Sequence, residues 1–165
     1  MRCLSEEDLE NLAVGAGILG CGGGGNPYRG KLIARRHLRA GARVRLVSLD
    51  EVPDSALAVE VFNMGAPVAG LERVPRGDEA VVALRRLEEV MGRPATHLVP
   101  AEVGGSNSTL PLVVAALSGL PVVDCDGMGR AFPELQQSTF MVGGAAVTPT
   151  VLADYRHATV VFQGV

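Results

Sequence analysis

The chain has 165 residues, of which 15 are Lys or Arg and 18 are Asp or Glu, for a net charge of −3, and that balance leaves no basic footprint for nucleic acid. Hydrophobic residues make up 47%, enough for one core of ordinary domain size, and no apolar run approaches the ~18 residues of a membrane span. Glycine is in excess, at 21 residues beside 10 prolines, but it follows no Gly-X-Y period and stays below low-complexity levels, which excludes collagen and disorder.

Ser5-Glu6-Glu7-Asp8 reads as a helix start, with Ser5 as N-cap and acidic residues at the positive end of the dipole. Leu9, Leu12, Ala16 and Leu19 then share one face and predict a helix over 5–19, stopped by the glycine run at 20–25. Residues 31–40 read as a second, basic amphipathic helix closed by Gly41. Strands are expected at 44–49 and 56–62, the latter with Asn63-Met64-Gly65-Ala66-Pro67 at its carboxyl end. Residues 78–91 read as a helix buried along Val81, Val82, Leu84, Leu87 and Val90, ended by Gly92 and Pro94. A short apolar strand follows at 96–100. Residues 106–118 form a largely apolar helix whose start slides toward Ser108 or Thr109, because Pro111 fits only a first turn. Residues 121–123 give a further, buried strand, ending in Asp124-Cys125-Asp126, and 159–163 can add an edge strand. The alternation of strands and helices from Arg43 onward predicts a single layered α/β domain over 1–165 with a mixed, largely parallel sheet.

Gly15-Ala16-Gly17-Ile18-Leu19-Gly20 matches G-x-G-x-x-G, but a dinucleotide site needs that motif after a strand and at the opening of a helix. Here a capped helix precedes it, and no phosphate-loop signature is present, so no nucleotide is expected. Cysteines 3, 21 and 125 form no C-x-x-C and read as reduced thiols of a cytoplasmic protein, in keeping with an N-terminus too acidic for a signal peptide. Cys125 lies between two carboxylates, which oppose thiolate formation.

Polar residues gather instead in glycine-rich turns, where an α/β sheet usually carries its site. The first group is Gly24, Gly25 and Asn26, whose backbone and amide could approach a ligand or simply form a turn. The second runs from Glu102 through Gly104, Gly105, Ser106 and Asn107, with backbone N–H groups suited to an oxyanion or carboxylate, or else with capping residues and a solvated Glu. The third holds Asp124, Asp126, Arg130 and Glu134. Its two Asp residues could share a divalent metal or divide into acid and base, and Arg130 could clamp an anion; a salt-bridged Asp-Gly turn is the plainer alternative.

Five blocks in order (5–8, 15–28, 75–80, 100–107 and 126–136) make the chain resemble the S-methyl thiohydantoin desulfurase family. The resemblance covers roughly 5–163. It implies a two-domain protein whose N-terminal α/β domain precedes a mostly β C-terminal domain, which this chain is expected to lack, and an association with hydantoin utilisation. The implied reaction is hydrolytic loss of a sulfur substituent from a five-membered ring. Water must then add to an amidine-like carbon, which needs a carboxylate base or a metal-bound water. Asp124 or Asp126 is the candidate base or metal ligand, Glu102 the second acid/base, and Arg130 the anion clamp. Asn26, Asn107 and the glycine N–H groups are the candidate donors. A small cyclic amide-like ligand is the expected partner, together with a second copy or a separate C-terminal-domain chain. Two other readings stay open: a non-catalytic ligand-binding or subunit module, and an inactive remnant with an exposed apolar surface.

Overall fold

The computed structural model describes residues 1–65, 72 and 77–164; Ala66 and Pro67 of the turn after the second predicted strand, and Pro75 and Arg76 of the 75–80 block, lie outside the described residues. Helix α1 (Glu6–Gly20) starts where the sequence places it. The Ser5 side chain accepts from the Asp8 N–H, and Asp8 accepts in return from the Ser5 N–H at 2.8 Å, which closes a capping box. These hydrogen bonds also hold the Asp8 carboxyl below its ordinary pKa. Ser5→Ala is expected to cost about 1 kcal/mol in urea unfolding near neutral pH. Asp8 reaches Ser5 only as a carboxylate, with a folded pKa below the unfolded one. The box is therefore complete above the ordinary carboxyl range, and the difference between variant and wild type should shrink as pH falls through the lowered value.

Helix α2 (Pro27–Arg39) begins four residues earlier than its apolar periodicity predicts. Pro27 occupies the first turn and Asn26 caps it by accepting from the Tyr28 N–H at 2.9 Å. The basic residues of α2 meet acidic ones on α1: Lys31, itself buried, donates to Glu10 at 2.7 Å, and Arg39 to Glu6 at 2.7 Å.

Five strands form one sheet in the order β1-β2-β5-β4-β3. They are β1 (Arg2–Cys3), β2 (Arg45–Val47), β3 (Ala58–Val61), β4 (His97–Pro100) and β5 (Val122–Val123). Only β1 runs antiparallel to its neighbour; β2, β5, β4 and β3 are mutually parallel. The layered α/β architecture and the largely parallel sheet are as predicted. Helix α3 (Glu79–Met91) links β3 to β4, and α4 (Leu110–Ser118) links β4 to β5. The predicted helix over 106–118 divides in two. A 3-10 turn at Gly105–Ser108 precedes α4, with Pro111 in the first turn of the true helix.

The parallel strands alternate between two apolar layers, as strand periodicity requires. Leu98, Val122, Val59 and Val61 face Leu9, Ala34, Leu84 and Leu112 to Ala115 of the helices. Val47, Val99 and Val123 face the other way, where Val52, Cys125 and Phe140 cover them. Phe140 belongs to a short helix, α5 (Thr139–Val142), which has no clear periodicity in the sequence.

The last predicted strand forms, but elsewhere than at the main sheet. β7 (Thr159–Phe162) pairs antiparallel with β6 (Thr150–Ala153), and the two make a separate ribbon packed on α3. A strand at 150–153 was not expected from the sequence, and it gives β7 a nearer partner than the sheet edge.

Candidate functional site

Because β3, β4 and β5 are parallel, the segments leaving them emerge at one end of the sheet, where the glycine-rich turn between α1 and α2 also arrives. Asn63 follows β3 by two residues, Glu102 follows β4 by two, and Asp124 and Asp126 follow β5.

Glu102 is buried, with 3% of its surface exposed. A carboxylate there requires hydrogen-bond donors, and two are present. Asn107 Nδ2 donates to Oε1 at 2.8 Å, and the Phe132 N–H donates to Oε2 at 2.8 Å. Asn107, also buried, accepts from the Asn63 N–H at 2.7 Å through Oδ1. One chain of hydrogen bonds therefore joins the exits of β3 and β4 to Phe132, in the segment that follows β5.

The glycines complete the junction by close approach. Ser106 donates to the Gly24 carbonyl through both its N–H (2.6 Å) and its hydroxyl (2.7 Å). A side chain on Gly24 or Gly105 would overlap the other's backbone or its neighbour's, and a Cβ on Gly104 would lie 2.5 Å from the Ala131 nitrogen. The runs at 22–25 and 104–105, conspicuous in the sequence, are thus stacked on each other. Gly15 and Gly17 of the dinucleotide-like motif lie inside α1, where a Cβ would meet nothing within 4 Å.

Asp126 turns its carboxylate onto the backbone: Oδ2 accepts from Val103 (3.0 Å), Gly129 (2.6 Å) and Met128 (3.4 Å). Asp124, one strand position beyond Val123, is exposed, and among the described residues its carboxylate has no hydrogen-bond partner. Both carboxylates flank Cys125, whose thiol is pushed up in pKa first by burial and then by Asp126 and Asp124, the direction the sequence suggests.

Three predicted residues take no part in the hydrogen bonds of this junction. Asn26 is exposed and occupied as the α2 cap. Arg130 is exposed, its guanidinium donating to the Ala131 carbonyl at 2.7 Å, and Glu134 is exposed, accepting from Gln136 at 2.6 Å. Gly25 is exposed, beside the Ser106 hydroxyl. Among the described residues no three His, Cys, Asp or Glu side chains gather as a metal-binding set, and no helix is long and apolar enough to cross a membrane.

A residue outside the predicted set joins the candidates. On the second face of the sheet, a pocket of about 40 Å³ opens between β3, α5 and the segment leading into β6. Glu60 of β3 lines it with Phe62, Phe140 and Met141, and burial raises the Glu60 carboxyl above its ordinary pKa although the residue still reaches solvent. The only sequence signal for it is a carboxylate between two buried valines.

The family model described as "S-Me-THD-like, N-terminal domain" matches residues 7–164. An X-ray crystal structure of a protein from Chromobacterium violaceum, a Northeast Structural Genomics Consortium target, superimposes with a TM-score of 0.76 at 36% sequence identity. The match covers 98% of this chain and 44% of that one, so the chain spans less than half the length of its structural relative. No protein of curated function matches the chain.

Proposed function

We propose a hydrolytic role from one premise: the chain belongs to the family of S-Me-THD-like N-terminal domains. In this reading the domain forms part of a site that removes the sulfur substituent of a small cyclic amide of the S-methyl thiohydantoin type. Water adds to the ring carbon that carries the S-methyl group, the C–S bond breaks, and methanethiol leaves with a proton while the ring carbon becomes a carbonyl. The remaining walls come from a second domain, as a separate chain or as the rest of a longer one, and the reaction belongs in the cytoplasm, in keeping with three free cysteines.

The observation that carries this reading is the division among three carboxylates at one end of the sheet. Glu102 and Asp126 already accept from fixed N–H donors and act as positioning groups. Asp124 is exposed beside them with its lone pairs free among the described residues, which suits a base that takes a proton from the attacking water. A divalent ion at Asp124 with ligands from the second domain is the alternative means of activating water.

Methanethiol release from an S-methyl thiohydantoin, read with a thiol reagent, tests the proposal for this chain alone and for the chain mixed with a family C-terminal half. Turnover is expected in the mixture. Asp124→Asn should lower kcat by about 100-fold or more without moving the melting temperature, because the residue holds up nothing else. Full turnover in that variant would remove Asp124 as the base. Ring binding without any thiol release would favour a ligand-binding subunit, a reading that the 44% coverage of the relative also suits.

A further inference from the structure

Strand alternation puts Leu152, Val160 and Phe162 on one face of the β6–β7 ribbon, where they are 39%, 55% and 44% exposed. Val151, Ala153 and Val161 point the other way and are half-buried, where the ribbon packs on α3. β6 makes most of that contact, so β7 stands on the outside. Its far edge is open as well. The Asp154 N–H donates to the Ala158 carbonyl at 3.0 Å. Counted from there, the alternation of an antiparallel pair turns the backbone groups of Val160 and Phe162 toward β6 and those of Thr159 and Val161 outward. Among the described residues nothing hydrogen-bonds to these outward groups. An edge strand is commonly blunted by a charge or a proline, and 158–165 contains no charged side chain and no proline.

We propose that this edge docks the other half of the longer family proteins, which lays a strand of its own along β7 and covers Leu152, Val160 and Phe162. This rests on the second half that the hydrolase reading calls for, and it names the surface of this chain that receives it. An open edge selects a strand, because a strand presents donors and acceptors at the matching spacing. The apolar face beside it selects a body large enough to cover that face too. Length names the occupant: 98% of this chain corresponds to only 44% of its structural relative, so more than half of that relative's chain has to find a place against a domain of this form. A second copy fits less well. Twofold pairing of β7 with its own mate would satisfy both edges but leave Leu152, Val160 and Phe162 of each copy on one open face. The position also suits the site. The His157 ring, at the ribbon's tip, meets Asp78 at the start of α3 at 3.0 Å. A helix that links two parallel strands starts at their carboxyl end, so β7 begins at the end of the sheet that carries Glu102 and Asp124.

Amide hydrogen exchange in the isotope-labelled full chain, alone and mixed with a family C-terminal half, tests the docking without reading any chemistry. In the chain alone the Thr159 and Val161 amides should exchange fast, while those of Val160 and Phe162 are protected by β6. In the complex the outward pair should slow by about 100-fold or more, so that protection no longer alternates along β7. Val160→Lys sets a charge on the docking face from an exposed position and should weaken the complex about tenfold or more. Val161→Pro removes an outward donor that the ribbon itself does not use and should weaken it similarly. Outward amides that stay fast in a formed complex, or a Val160→Lys chain that binds as tightly as wild type, would overturn the docking, as would the absence of any complex. Slow Thr159 and Val161 amides in a chain that sediments alone as a dimer would give the edge to a second copy and overturn it too. Thiol release separates the two readings. A complex with protected β7 amides and no thiol release removes the hydrolase reading and keeps the docking, whereas thiol release with β7 unprotected does the reverse.

Discussion

Gly24→Ala is expected to cost about 3 kcal/mol or more, the sum of two effects that a companion variant separates. Gly24 has φ +70°, and a Cβ there would overlap the Gly104 carbonyl oxygen and lie 2.8 Å from its carbon and 2.9 Å from Glu102 Oε1. None of these atoms can rotate away: two are backbone and the third is a buried carboxylate held at both oxygens. Overpacking of this kind costs about 1–3 kcal/mol, and a left-handed backbone adds roughly 1–2 kcal/mol for an L-residue. Gly22, at φ +88° with nothing within 4 Å of its Cβ position, carries the second effect alone. Gly22→Ala should therefore lose only about 1–2 kcal/mol. Urea unfolding of both variants checks the difference; equal losses would mean that the two glycine turns do not press on each other.

That pair also marks the boundary of what the sequence reveals. Helix α1 was legible because its signals are local: the cap and its acidic partner are three residues apart, and the apolar face repeats within each turn. The sheet was legible for a related reason, since short apolar runs alternating with helices admit few other arrangements. The glycine clusters had their addresses in the sequence, but their mutual contact did not, because it joins positions about 80 residues apart. Glu102 shows the same limit. Between Ala101 and Val103 it reads as a solvated residue at a strand end, and only Asn107 and the Phe132 N–H, 30 residues on, explain how a carboxylate can be buried there. Asn26 shows a local feature read for its chemistry alone. A polar amide after four glycines suggests a ligand contact, and with Pro27 behind it the residue also caps α2. The Glu60 pocket had no comparable signal, since its other wall comes from α5 and residues 145–150, where no hydrophobic period runs.

The buried network around Glu102 has a direction, and that direction forbids its neutral isostere. At one end the Asn63 N–H must donate, which fixes Asn107 with Oδ1 toward it and Nδ2 toward Glu102. At the other end the Phe132 N–H must also donate. The residue between two donors has to accept twice, and a carboxylate does so where an amide cannot. In Glu102→Gln, one donor would face the new NH2 group. Turning Asn107 over relieves that conflict only by moving it to the Asn63 N–H. A stability loss of about 1–3 kcal/mol follows, the cost of one unsatisfied buried donor, and Glu102→Ala should lose more because both acceptors vanish and a cavity opens. Asn107→Ala should cost less in the Gln background than in wild type, since the misplaced donor is then gone; a double-mutant cycle in urea measures that coupling. The same variant separates positioning from chemistry. If Glu102→Gln were as stable as wild type but gave no thiol release in the assembled enzyme, Glu102 would be touching the reacting atoms. Loss of stability with kcat recovering at low temperature, where the loops refold, is the outcome expected of a group that only holds Asn107 and the Phe132 backbone in place.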